Sequence, residues 1–267
     1  MLVTVWVFTG IEGAVVFSSR AKSKKDVGTA TVIGLISVLV IYFLMTVLAQ
    51  GVIQQNHISE LSNPSMAAVL EHIVGHWGSV LVNIGLIISV LGAWLGWTLL
   101  AGELPFVVAK DSLFPKWFAK ENKNKAPVNS LLITNILVQI FLISMLFTES
   151  AYQFAFSLAS SAILIPYMFS AFYQVKYTYL TKERATTKQW VIGIISSVYA
   201  IWLVYAAGID YLLLTMLLYI PGLFVYQTVQ KNNRKPLSKV DYIFFVLITI
   251  LAIIGIFRLI TGAVNVF

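Results

Sequence analysis

Long apolar runs, interrupted at short intervals by polar stretches, dominate the chain. Eight runs meet or approach the roughly 20 apolar residues that a helix needs to cross about 30 Å of hydrocarbon. They cover residues 2–18, 28–54, 77–100, 128–147, 152–175, 190–207, 211–227 and 240–260. The first and seventh are short. Only one connection on the side opposite the basic loops is long, residues 56–76. In it Ser62, Asn63 and Pro64 mark a turn, and residues 65–74 read as a short amphipathic helix with Met66, Val69, Leu70 and Ile73 on one face. The pattern predicts an all-α, polytopic membrane protein, a single transmembrane domain over residues 1–267 with about eight helices.

Composition agrees with this reading. Of 267 residues, 59% are hydrophobic and 11% charged, with a mean hydropathy of +0.86. A soluble domain carries roughly 25% charged residues, so the surface predicted here faces lipid. The net charge of +7 would suit nucleic acid if it formed one patch. It does not. Seventeen of the eighteen Lys and Arg residues fall in every second connection: Arg20–Lys25, Lys110–Lys125, Lys176–Lys188 and Lys231–Lys239. The positive-inside rule places these loops in the cytoplasm. The charge is therefore topological, and the predicted location is the cell membrane, with no nucleic-acid partner. The exception, Arg258, reads as snorkelling towards headgroups at the outer end of the last span. The N-terminus has no basic region or small-residue cleavage site of a signal peptide. On this orientation Met1 lies outside and enters the bilayer almost at once, which predicts that preceding spans are missing from this chain.

Candidate chemistry concentrates in the first span, Trp6-Val7-Phe8-Thr9-Gly10-Ile11-Glu12-Gly13. A mid-membrane Glu costs about 2.5–3.5 kcal/mol on insertion scales unless water or a partner receives it, and glycine weakens the helix locally. Gly10 and Gly13 around Glu12 predict a helix break whose carbonyls face a cavity. The competing reading is a glycine-packed helix with Glu12 paired to a neighbouring span. In the third span Trp94 and Trp97 lie near one face and suit either an interface belt or a box around a ligand cation. Glu103 reads as solvated or paired with a loop lysine. Residues 110–118, with Asp111-Ser112-Leu113-Phe114-Pro115, read as a short helix along the inner surface, and Pro127 starts the next span. In the fifth span Pro166 permits a kink. Small residues at Ala155, Ala159, Ser160 and Ser161 allow close approach of a helix or a ligand.

Other chemistries find no support. There is no cysteine. His72 and His76 have helical spacing but no third ligand, so they read as a solvated loop rather than a metal site. No phosphate-binding loop, dinucleotide fingerprint or nucleophile elbow is present. The expectation is a non-enzyme without cofactor or metal.

The stretches Trp6–Gly13, Gly96-Trp97-Thr98-Leu99-Leu100-Ala101-Gly102 and Asp111–Pro115 resemble the sixth span, eighth span and following loop of the basic amino acid/polyamine antiporters, a branch of the amino acid–polyamine–organocation superfamily. Within it the arginine/ornithine antiporters are most alike, and arginine/agmatine exchangers are similar. The resemblance implies the second half of a five-plus-five inverted-repeat fold, without the first repeat, and an extra C-terminal span at 240–260. It implies a substrate site of Trp6, Val7, Thr9 and Trp97. Trp6 would stack over the substrate, backbone carbonyls around residues 6–9 would hold its α-ammonium, and Trp97 would line a guanidinium pocket. Glu12 would act in proton sensing or gating and Tyr167 at an inner gate. The family's pocket serine falls on Ala159, with Ser160 and Ser161 following.

The function so implied is arginine/ornithine exchange by alternating access, with a cationic amino acid and the lipid bilayer as partners and a homodimer left open. The chain by itself is expected to transport little. Two other readings stand beside this: transport of lysine, a diamine or another amino acid, and a non-transporting membrane subunit paired with a partner that supplies the first repeat.

Overall fold

A computed structural model describes residues 2–54, 57, 61, 64–147, 151–181 and 186–262. The described elements are helical: α1 (Leu2–Phe8), α2 (Gly13–Val16), a 3-10 turn (Phe17–Arg20), α3 (Lys24–Val52), α4 (Ser65–Val74), α5 (His76–Lys110), a second 3-10 turn (Lys116–Ala119), α6 (Val128–Met145), α7 (Ala151–Ala162), α8 (Leu164–Leu180), α9 (Thr187–Ala206), α10 (Ile209–Asn232) and α11 (Lys239–Ile260). Among the described residues, seven segments are long and apolar enough to span a bilayer, with α7 and α8 forming one of them. The eighth predicted span, residues 2–18, is instead two short helices separated by a turn. The amphipathic α4 has the predicted bounds. The predicted turn at Ser62 and Asn63 lies outside the described residues.

The helices that follow basic loops start where the local chemistry caps them. The Ser23 hydroxyl accepts from the Lys25 N–H ahead of α3. Thr186 and Gln189 form a capping box at α9, and Ser238 and Asp241 form another at α11. Pro127 precedes α6, and its carbonyl takes the Leu131 N–H.

Burial is inverted relative to a soluble protein. Ser130, Ser160, Ser161, Thr178 and Thr215 are fully or almost fully buried, whereas large apolar side chains such as Phe43, Ile88, Leu95 and Phe257 are exposed. Side-chain hydroxyls turn back onto their own helices, as Thr178 does to the Gln174 carbonyl and Thr215 to that of Tyr211. That disposition suits helices whose outer surface contacts lipid.

The chain divides into two compact units. One comprises Phe8–Val107 and Phe118–Asn135. In it α2 lies against α3, and α3 against α4. Arg20 grips Glu103 with two parallel bonds: Nε to Oε1 at 2.8 Å and Nη2 to Oε2 at 2.9 Å. The guanidinium also lies over Phe106, 5.8 Å from the ring centroid, and within 3.5 Å of the Lys125 carbonyl. Glu103 is only 3% exposed, so the expectation of a solvated or lysine-paired carboxylate is corrected: a buried charge requires a fixed partner, and Arg20 is it. The hydrogen bond to Glu103, against the opposing effect of burial, raises the Arg20 pKa above its ordinary value.

The other unit comprises Met1–Val7, Val108–Trp117 and Ile136–Phe267. Here α8 packs on α9, α7 on α10, and α10 on α11. Glycines set two of these seams. A Cβ on Gly193 would stand 3.1 Å from Val175, and one on Gly255 would stand 3.0 Å from the Leu213 carbonyl. Arg258 is an ion-pair partner rather than a snorkelling residue: its Nε lies 3.0 Å from Asp210 Oδ1, close in distance but not aligned as a hydrogen bond. The predicted helix at 110–118 is also corrected. The α5 helix runs to Lys110 and then turns, because Ser112 takes a left-handed φ of 60° and cannot propagate the helix. Only the 3-10 turn beginning at Lys116 follows.

Pro166 has no N–H to give the Ala162 carbonyl, and the helix breaks between α7 and α8. The Tyr219 hydroxyl, from α10, donates to that carbonyl at 2.9 Å. Tyr219→Phe should therefore lower stability by about 1 kcal/mol, read as an earlier midpoint in detergent unfolding. Arg20→Ala, which leaves Glu103 buried and unpaired, should cost on the order of 2 kcal/mol once the partial exposure of Arg20 is allowed for. The double variant with Glu103→Ala should recover part of that loss in a double-mutant cycle; additive losses would rule out coupling.

Candidate functional site

The first span comes apart where two glycines flank a carboxylate. The α1 helix ends at Phe8, and residues 9–12 form a turn. Gly10 sits at φ +104°, a conformation that a side chain would strain. The chain re-enters a helix as the Gly13 N–H reaches the Gly10 carbonyl at 3.0 Å, and the Val15 and Val16 N–H groups reach that of Glu12. Glu12 folds back on the break: its Oε2 accepts the Gly10 N–H at 2.9 Å. Hence the broken-helix reading holds over the continuous, glycine-packed one. The same carboxylate that makes the span expensive to insert satisfies a donor released by the break.

The inner part of this span follows α5 closely. A Cβ on Gly10 would lie 3.3 Å from the Trp97 indole, and one on Gly13 would lie 2.9 Å from Leu100. The Arg20–Glu103 pair closes the series one turn further along α5. Positions 97, 100 and 103 share a helix face, so the α5 stripe that receives the broken span carries an indole, an aliphatic contact and a charge in succession. Trp97 therefore borders the break, whereas Trp94 is largely exposed. The two tryptophans do not form a matched pair.

Trp6 belongs to the other unit and packs against Phe156 of α7, ring centroids 5.2 Å apart and planes tilted by 59°. Tyr152 stacks on Phe156 from one turn earlier. Trp6 remains 37% exposed. Ser160 is fully buried, and its hydroxyl donates to the Phe156 carbonyl at 2.7 Å. Ser161 is also fully buried, and its hydroxyl has no partner among the described residues. Ala159 is exposed, so of this trio the residue with no hydroxyl is the accessible one. Tyr167 stands just after Pro166 in the first turn of α8, its N–H bonded to the Ile163 carbonyl.

The sequence-predicted residues thus fall into two groups. Thr9, Gly10, Glu12, Gly13 and Trp97 share one unit; Trp6, Val7, Ala159, Ser160 and Tyr167 share the other. Among the described residues no group of three or more metal-ligating side chains occurs. Sequence reasoning missed three contributors. Arg20 was read as a topogenic charge, Phe156 as one apolar residue among many, and Tyr219 not at all. A Glu near a span end signalled a possible cation partner, and Pro166 signalled a carbonyl left without its helical donor. Neither signal named its partner.

Residues 1–211 match the amino acid permease family. Over 98% of its length the chain is 46% identical to an arginine/ornithine antiporter of Pseudomonas aeruginosa, covering 57% of that protein. It is 42% identical over 99% of its length to an arginine/ornithine antiporter of Latilactobacillus sakei, covering 56% of it. It is 38% identical over its full length to an arginine/agmatine antiporter of Chlamydia pneumoniae, again covering 56%. The chain therefore spans a little over half the length of these curated relatives. With a family match over most of its residues and seven segments able to span a bilayer, this chain is a multi-pass membrane protein of the amino acid permease family.

Proposed function

We propose that the full-length protein carrying this chain exchanges extracellular arginine for intracellular ornithine across the cell membrane, with the basic loops in the cytoplasm. The observation that carries the reading is the break at Gly10. In a bilayer, irregular backbone is tolerated where it is enclosed by protein or lines a cavity, and such breaks are the substrate sites of transporters built from discontinuous helices. The names of the relatives at 46% and 42% identity point to the same substrate pair.

In this reading the α-ammonium meets carbonyls around residues 6–9. Trp6 and Trp97 supply aromatic faces to the cationic side chain, each such contact worth about 0.5–2 kcal/mol. Ala159 leaves room where a serine would reach. Glu12 couples occupancy to gating, because its carboxylate holds the Gly10 N–H at the break itself. Tyr167 acts at the inner gate. Exchange follows from two states that rock around one site, with the empty carrier returning poorly. A second reading, a different cationic substrate in the same site, rests on the arginine/agmatine relative and on Ala159.

Proteoliposomes of the full-length protein loaded with ornithine should take up labelled arginine. No uptake over ornithine-free vesicles would refute the exchange, and uptake driven only by agmatine or lysine would reassign the substrate. Trp6→Ala and Trp97→Ala should each raise the arginine KM about 3- to 30-fold, as loss of a cation–π face requires. Gly10→Ala forces a side chain into φ +104° beside Trp97. It should reduce the exchange rate at least tenfold while the protein still assembles as a monodisperse species by size exclusion.

A further inference from the structure

The Asp111-Ser112-Leu113-Phe114-Pro115 stretch plays no part in the proposed transport site, yet it builds a pocket of its own. A cavity of about 330 Å³ opens between the end of α5 and the end of α10 within one compact unit. Its lining includes Ser112, Phe114, Lys116, Thr228, Asn232 and Asn233. Both helices end in the same way. At α5 the Leu113 N–H bonds the Val108 carbonyl and the Ser112 N–H that of Ala109; at α10 the Lys235 N–H bonds the Gln230 carbonyl and the Arg234 N–H that of Lys231. Ser112 and Arg234 occupy the left-handed position that this motif usually gives to glycine, at φ 60° and 54°. The Asn233 Nδ2 donates to the Ser112 carbonyl at 2.9 Å and ties the two ends together.

The lining is rich in donors and holds no carboxylate. Lys116 has no ion-pair partner among the described residues. Ser112 and Asn232 offer a hydroxyl and an amide, while Thr228 spends its proton on the Phe224 carbonyl. Several terminal carbonyls, which would repel an anion, are bound by closing N–H groups: those of Val108 and Ala109 at α5, and those of Val229, Gln230 and Lys231 at α10. Each helix end still carries roughly half a negative charge, and Asp111 adds one. Against these stand the formal charges of Lys110, Lys116, Lys231, Arg234 and Lys235 on the same two segments. Phe114, Pro115 and Val229 give the cavity an apolar side. A donor-lined, cationic cavity with an apolar wall, at helix ends facing the basic loops, matches the junction of a phosphate and its glycerol.

From these features we infer that the pocket between the ends of α5 and α10 binds a phosphate-bearing group, with Lys116, Ser112 and Asn232 as its donors. The inference stands apart from the transport reading, and its readout is lipid retention. The full-length protein would be reconstituted in nanodiscs of phosphatidylethanolamine with or without phosphatidylglycerol, released, and examined by native mass spectrometry. The wild type should retain phosphatidylglycerol at least threefold more than Lys116→Gln or Asn232→Ala, and Lys116→Arg should restore retention. Equal retention by wild type and both variants would overturn the proposal. A competition arm separates the two sources: displacement of the lipid by millimolar inorganic phosphate assigns the site to a soluble phosphate, and retention in its presence assigns it to the lipid headgroup.

Discussion

A peptide group in hydrocarbon has no water to turn to, and each one left without a partner costs several kcal/mol. The two places where this chain interrupts a spanning helix show how that constraint is met. At Gly10 the released N–H is taken by the Glu12 carboxylate from two residues away. At Pro166 the released Ala162 carbonyl is taken by the Tyr219 hydroxyl from another helix. One break is closed locally by a charged group, the other at long range by a neutral one. The difference is chemical: the carboxylate closes its break within the same turn, whereas the phenol reaches its carbonyl from a neighbouring helix.

The same constraint explains why small polar residues are buried here while many large apolar ones face outward. Lipid tails give leucine no reason to leave the surface, so close packing and hydrogen bonds hold the helices together. Gly193 and Gly255 admit a neighbouring backbone, and buried serines and threonines add little bulk at the seams. The Arg20–Glu103 pair adds a charge-assisted, two-bond contact where the broken span meets α5. It draws the short inner pieces of that span, too short to be stable alone, onto a long rigid helix.

Much of this was legible in the sequence. The apolar runs located the seven helices long enough to span a bilayer, and the Gly10-Ile11-Glu12-Gly13 pattern predicted a break in the first run. These are local signals, readable within a few residues. What stayed hidden was pairing at a distance: Arg20 with Glu103 is 83 residues apart, and Tyr219 with Ala162 is 57. Residues 110–118 were misread as a helix because Leu113, Phe114 and Trp117 suggest an apolar face, while the left-handed Ser112 carries no glycine to announce the stop. Arg258 was read as a lone charge because Asp210 lies on a different span.

That last pair bears on how the protein enters the membrane. On the orientation that the positive-inside rule predicts, insertion carries Arg258 across the bilayer, against the bias that keeps basic residues on the side of synthesis. Asp210, at the start of the preceding span, is delivered to the same side just before it. The two opposite charges on adjoining helices then lie 3.0 Å apart at the same end of the final hairpin, so that end carries no net charge from the pair.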